Sequence, residues 1–156
     1  MPDNLKGVEA VYRVINILKT ELLSNPFCNS VTLGTLTEID LAKMTIFPMG
    51  HIVLESATHK TNTLSFQVTI YNLDIVEISK ELPIDEYGND NLIYIYTNQL
   101  YVINRLISRI AEGQYGDGWE INGEPTSQFI NKEMENMLAG VQTTFSVTVQ
   151  NGISKC

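Results

Sequence analysis

The residues best suited to catalysis lie in the stretch DIVEISK, where Asp74 and Glu77 precede Lys80. Carboxylates that hold Mg²⁺ and a lysine that orients water would suit a metal-dependent nuclease. Glu77 and Lys80 are three residues apart, however, so a regular strand points them to opposite faces. A bulge would be needed to bring them together, and solvated charges at the end of a strand are the simpler interpretation.

Other residues that bind metals are spread along the chain. His51 and His59 are the only histidines, and eight residues of straight strand would separate them by about 26 Å, too far for one metal ion. The acidic loop at 83–91 (PIDEYGNDN) lacks the spacing and the closing glutamate of a calcium-binding loop. Cys28 and Cys156 are expected to be free thiols. We therefore expect no metal, no cofactor and no catalytic residue.

The composition describes an acidic chain with enough apolar residues to form one core. Eighteen acidic residues against ten basic ones give a net charge of −8, which argues against a cationic nucleic-acid clamp. A hydrophobic share of 44% over 156 residues predicts a single domain, 1–156. No apolar run approaches the roughly 18 residues of a membrane span, and the first residues do not resemble a signal peptide.

Two long helices are predicted from apolar residues at three- and four-residue steps. The stripe of the first helix is Leu5, Val8, Val11, Tyr12, Ile15, Leu18 and Leu22, and the second helix spans about 91–111. The main face of the second helix carries Leu92, Ile95, Tyr96, Gln99, Ile103, Leu106 and Ile110. Its second, partly apolar face carries Tyr94, Tyr101 and Ile107, which predicts contacts on two sides.

Strands are predicted at 30–33 and 50–57, followed by a loop at 58–62 and a long return strand at 63–79. In the return strand the apolar positions change phase, from Leu64, Phe66, Val68 and Ile70 to Tyr71, Leu73 and Ile75. Such a change indicates a bulge or burial of the second half on the other face. A strand of this length should protrude from so small a domain, and we expect a neighbouring subunit to cover its far end.

The last third predicts a short strand around Trp119 and Ile121, an ambiguous stretch at 126–139, and a final strand through Phe145 and Val149. The order of elements predicts an α+β fold. Its sheet is mainly antiparallel with a long β-hairpin, and two main helices pack on one face.

Four stretches, taken in order, resemble the ring-forming neck proteins of tailed bacteriophages. They are EIDLAKMTIFPMGHIVLESAT, TLSFQVTIYNLDIVEISKE, NDN leading into LYVINRLISRI, and ENMLAGVQTTFSVTVQN. Within this class, which includes the tail-terminator and tail-completion proteins, the chain is most similar to ring or tail-connector proteins of the crAss-like gut phages. The resemblance covers nearly the whole chain.

The resemblance implies a tail-terminator-like, non-enzymatic virion protein, made in the cytoplasm of an infected bacterium. It would form a homo-oligomeric ring of six- or twelve-fold symmetry in the neck, between the portal or another neck ring and the tail proteins, with no membrane contact. DNA would pass through the lumen without specific binding, since acidic copies around a ring would repel phosphates. Pro48 and Gly50 would mark the bend where the chain enters the long hairpin.

The candidate subunit interface combines the far end of the return strand with the second face of the second helix, namely Tyr71, Leu73, Ile75, Tyr94 and Tyr101. Two alternatives from other classes stay open. One is a small soluble binding module that acts as an oligomer such as a dimer, and the other is a metal-dependent nuclease that uses Asp74 and Glu77.

Overall fold

The computed structural model describes residues 6–34, 46–77, 91–114, 119–133 and 138–150. Their elements are α1 (Lys6–Leu23), β1 (Ser30–Leu33), β2 (Met49–His59), β3 (Thr63–Ile75), α2 (Leu92–Ala111), β4 (Glu120–Glu133) and β5 (Leu138–Gln150). The predicted α+β class is confirmed, with two helices and a five-stranded, mostly antiparallel sheet in the described part. The acidic loop at 83–91, but for Asn91, and Lys80 lie outside the described residues.

The strand order in the sheet is β1-β2-β3-β5-β4. Only β1 runs parallel to its neighbour, and the other pairs are antiparallel. The central strand β3 pairs with β5 without interruption, from Thr63 opposite Gln150 to Ile75 opposite Leu138. The expectation that β3 protrudes is therefore wrong, because β5 has the same 13-residue length and pairs with it along its whole length within the chain. Coverage of its far end by a neighbouring subunit stays a prediction.

The change of phase along β3 reflects burial on both faces of the sheet. The first set of apolar residues of β3, which includes Phe66 and Val68, lies in the main core. There it is buried beneath both helices, together with Leu18 of α1 and Leu106 of α2. A second cluster lies on the opposite face and contains Met49, Leu73, Ile130 and Leu138, with Phe47 and Tyr71 against it. The predicted alternative of a bulge in β3 is not observed, since the irregularity lies in β2, between Leu54 and Ser56.

Helix α1 buries Val14, Leu18 and Leu22. Tyr12, which the predicted stripe included, is exposed because it lies about 120° from Leu18 around the helix axis. Val11 is also exposed, one turn before the first buried residue. The stripe is thus correct in its second half and wrong at these two positions.

Gly50 lies inside β2 and does not form the predicted bend. It pairs with Val31 of β1 and with Asn72 of β3. A Cβ atom here would approach Leu22 Cδ1 to 3.1 Å and Cys28 Sγ to 3.6 Å. The glycine therefore lets the end of α1 pack closely on the sheet, while the cis Phe47–Pro48 peptide bond precedes the strand.

The edge strand β4 is much longer than the short strand predicted around Ile121, and it includes most of the ambiguous stretch. Its pairing with β5 shifts between Asn122 and Thr126, where Gly123 has a φ of 67° and Pro125 follows. Glycine in this left-handed conformation and proline are typical of turns, but here they form an irregular segment within one strand.

Candidate subunit interface

Helix α2 has two apolar faces with different surroundings. Its inner face is buried against the sheet and consists of Ile95, Gln99, Val102, Ile103, Leu106 and Ile110. On its outer side four large apolar residues are exposed, namely Ile93, Tyr94, Leu100 and Tyr101. With 100° per residue these four share an arc of about 120°, opposite the inner face. We call this set the outer ridge.

The start of α2 is fixed to the end of β3 by the side chain of Asn91. Its Oδ1 accepts a hydrogen bond from Glu77 N–H at 2.7 Å, and its Nδ2 donates to Ile75 O at 3.2 Å. At the other end, the N–H groups of Glu112 and Gly113 bond to Ser108 O and Ile110 O, and Gly113 has a φ of 77°. The Asn91 contacts thus fix the start of α2 against the end of β3, and the bonds at Glu112 and Gly113 end the helix.

The helical layer is held together beside the ridge. Tyr101 packs edge-on against Phe27, with ring centroids 6.2 Å apart. Arg109 Nη1 lies 3.1 Å from Oε1 of the buried Glu21, which joins α2 to α1. Both contacts therefore join α2 to α1 and to the segment that follows it.

The structure brings together only part of the predicted interface. Tyr94 is 61% exposed and Tyr101 48% exposed, both on the outer ridge. Ile75 is 40% exposed, but it lies two residues after Leu73 on β3, so its side chain is on the same face as Leu73 and away from the outer ridge. Leu73, at 0% exposure, and the half-buried Tyr71 belong to the second cluster on the other face. Leu73 thus offers no surface to a partner, and the interface itself stays a prediction.

Three exposed apolar residues on α2 or in contact with it were absent from the predicted interface. Ile93 and Leu100 extend the outer ridge. Ile93 is four residues before Thr97 and Leu100 is three residues after it, and this spacing could have indicated that they share one side of the helix. Phe129 of β4 is 58% exposed although its ring lies 4.7 Å from that of Tyr96. The irregular pattern of β4 gave no signal for it.

The candidate catalytic groups are only partly placed. Burial raises the pKa of the Asp74 carboxyl, the hydrogen bond from Ile75 N–H lowers it, and the nearby charge of Glu77 raises it further. Asp74 and Glu77 are thus close enough to interact, while Lys80 lies outside the described ranges. Within those ranges no three His, Cys, Asp or Glu residues are grouped so that they could hold a metal ion.

His51 and Cys28 are both buried, and their hydrogen bonds are made within the fold. His51 Nε2–H donates to Gly34 O at 3.0 Å, since a carbonyl can only accept, and Nδ1 lies 2.6 Å from the Thr32 hydroxyl. These bonds hold the end of β1 against β2. Burial raises the pKa of the Cys28 thiol despite hydrogen bonds to the backbone, which disfavours the thiolate that a nucleophile requires.

The face of the sheet opposite the helices is polar over most of β3 and β5. Hydroxyl pairs cross between these strands, Ser65 with Thr148 at 2.7 Å and Thr69 with Thr144 at 3.2 Å. A shallow depression of about 120 Å³ is lined by Thr126, Gln128, Gln142 and Thr144. Its lining has no titratable group, so it offers no acid or base for catalysis.

Neither helix of the described ranges is both long enough and apolar enough to cross a lipid bilayer. No family model and no curated protein matches the chain.

Proposed function

We propose that the chain is a structural, non-enzymatic virion subunit. Copies of it form a ring in the neck or tail of a tailed bacteriophage, which joins the portal and capsid to the tail and lets DNA pass. The observation that carries this proposal is the outer ridge of α2, where Tyr94 and Tyr101 are exposed side by side with Ile93 and Leu100.

The outer ridge supports an assembly role because its four residues stay exposed in the described part of the fold, although Tyr101 also packs against Phe27. The inner face of α2 already packs against the sheet, so the exposed residues add nothing to that core. Contiguous apolar patches on a protein surface commonly mark contacts with other molecules, and tyrosine is enriched at such contacts. A ring requires every copy to carry this kind of surface.

The resemblance of the four stretches to phage neck proteins directs the proposal to the virion. The acidity of the chain is compatible with that place, since a net charge of −8 per copy repels the DNA backbone. DNA then slides through the ring without being held. The ring has six or twelve copies in this proposal, to match the symmetry of a phage neck.

Cryo-electron microscopy of tailed-phage particles tests the proposal, with particles purified from cells in which the chain is made during infection. We expect a ring of copies between the portal and the tail, with the outer ridge of α2 in contact with a neighbouring protein. Mass spectrometry of the same particles provides an independent measurement. Absence of the chain from intact particles would contradict the proposal.

A small soluble binding module that acts as an oligomer is the second candidate, and the same outer ridge favours it. In that case purified copies form a closed dimer through the ridge, and the chain is missing from particles. The two candidates thus give opposite results in the particle experiment.

A further inference from the structure

Charged side chains are unevenly distributed between the helices and the rest of the described chain. Within α1 and α2 the described charged side chains are four basic ones and one acidic one, Arg13, Lys19, Arg105, Arg109 and Glu21. Among the described side chains outside the helices the balance is reversed, with six acidic ones and one basic one, Glu55, Asp74, Glu77, Glu112, Glu120, Glu124 and Lys60. The helical layer is thus positive on a chain whose net charge is −8.

The only acidic residue of the helices whose side chain is described is already neutralised. Glu21 is paired with Arg109 inside the helical layer. Arg105 follows Tyr101 by four residues, which places it one turn along the same side of α2. The outer ridge therefore has an apolar end, around Tyr94, and a basic end, at Arg105.

The outer edge of β4 carries acidic and apolar residues that complement the basic and apolar ends of the outer ridge. Strand β4 is the last in the sheet and pairs on one side only, with β5. Glu120 and Glu124 are exposed near its start, and the exposed ring of Phe129 follows. This edge therefore has an acidic end and an apolar end.

The two patterns have similar lengths. From Tyr94 to Arg105 the helix rises by about 16 Å, at 1.5 Å per residue. From Glu124 to Phe129 a strand extends by at most about 17 Å, at 3.3 Å per residue. An antiparallel alignment of the helix and the strand can thus place Phe129 against the tyrosines while Glu124 reaches Arg105.

We propose that the outer ridge of α2 binds the acidic edge of β4 of a second copy of this chain. This inference rests on the proposed assembly function and specifies its contact. A contact between two identical ridges would bring two positive helical layers together, which like-charge repulsion disfavours. A ridge-to-edge contact joins two different surfaces of the same protein, so each copy can bind one neighbour on either side, as a ring requires.

Charge reversal at each surface, followed by mixing, tests the contact. The first variant is Arg105→Glu and the second is Glu120→Lys with Glu124→Lys. Alone, each variant brings like charges together, and we expect self-association at least about tenfold weaker than that of the unchanged chain. Mixed in equal amounts, the two variants restore association, because the reversed ridge of one meets the reversed edge of the other. Sedimentation velocity measures all three samples.

Two controls make the result specific. Lys60→Glu changes the net charge as Arg105→Glu does, but at the exposed tip of the β2–β3 hairpin, and it leaves association nearly unchanged. Raising the salt concentration from about 0.01 M to about 1 M weakens association of the unchanged chain, because the Debye length falls from about 30 Å to about 3 Å. Circular dichroism checks that each variant is folded.

Three results would overturn the contact. They are normal association of the Glu120→Lys/Glu124→Lys variant alone, no recovery on mixing, and an unchanged chain that stays monomeric at the highest soluble concentration. None of them decides whether the chain is in the virion, which the particle experiment measures separately. A ring found in particles together with no recovery on mixing would retain the proposed function and reject this contact.

Discussion

The inner and outer faces of α2 are both apolar, but the fold of this chain explains only one of them. The inner face, with Ile95 and Leu106, is buried beneath the sheet, whereas Tyr94 and Tyr101 of the outer ridge remain exposed. The periodicity of the sequence shows both faces and does not distinguish them. An apolar residue belongs to the core when another element of the same chain packs against it. It is available to a partner when no such element covers it.

The largest effect is expected from truncation of the inner face. Leu106→Ala removes a fully buried side chain and leaves a cavity, so the free energy of unfolding should fall by about 2–5 kcal/mol. Leu100→Ala, the matched change on the outer ridge, should cost less than about 1 kcal/mol. Urea denaturation followed by circular dichroism measures both. Equal losses would mean that the outer ridge belongs to the fold.

A smaller effect, on association and not on folding, is expected for the outer ridge. Tyr94→Ser should weaken self-association at least about tenfold, equivalent to about 1.4 kcal/mol, because large aromatic residues dominate contacts between proteins. Tyr12→Ser is the control, since Tyr12 is an equally exposed tyrosine of α1 outside the ridge. Sedimentation equilibrium gives the dissociation constants. A loss of the same size for both variants would remove the distinction between the ridge and other exposed tyrosines.

The smallest effect is expected at Asp74, where β3 meets the start of α2. Its pKa is raised above 3.8 in the folded chain, mainly by burial, so the folded state holds the proton more tightly than the unfolded state. Its contribution is therefore most favourable below about pH 3.8 and is lost as the pH rises through the folded value. Asp74→Asn should stabilise the chain at neutral pH by less than about 1 kcal/mol, because solvent screens a half-exposed carboxyl.

The pH dependence provides the check on Asp74. The stabilisation by Asp74→Asn should shrink as the pH falls towards 3.8, since the native carboxyl is then protonated as well. Urea denaturation at several pH values measures this difference. A variant equally stabilised at every pH would show that the charge of Asp74 is not the cause.

Much of the sheet could be predicted because strands buried on one face alternate. Strand β1 was predicted with its observed bounds, Ser30–Leu33. The predicted hairpin begins and turns nearly where β2 and β3 do, but its return strand was predicted to run to residue 79, whereas β3 ends at Ile75. The bounds of β4 could not be predicted, since Gly123 and Pro125 have the local preferences of a turn. Pairing with β5 on both sides of that segment outweighs those preferences.

For the candidate interface, the exposed residues could be predicted on α2, which carries a second apolar face. They could be predicted less well on β3. Tyr94 and Tyr101 were identified because they lie off the main face of α2 and are too large and apolar to be expected in water. Leu73 was assigned to a partner because its phase differs from that of Val68. The sequence alone does not reveal that Met49, Ile130 and Leu138 bury it within the chain.

The position of β3 in the sheet also affects how the chain folds during synthesis. Its partner β2 precedes it directly, but Thr69 and its neighbour Thr144 are 75 residues apart. At about 5–20 residues per second, a ribosome needs about 4–15 s to add this length. For those seconds the hairpin has one free edge, because β5 does not yet pair with β3 beside Phe66 and Val68. A second nascent chain can pair with β3 during that interval, in the place that β5 later takes.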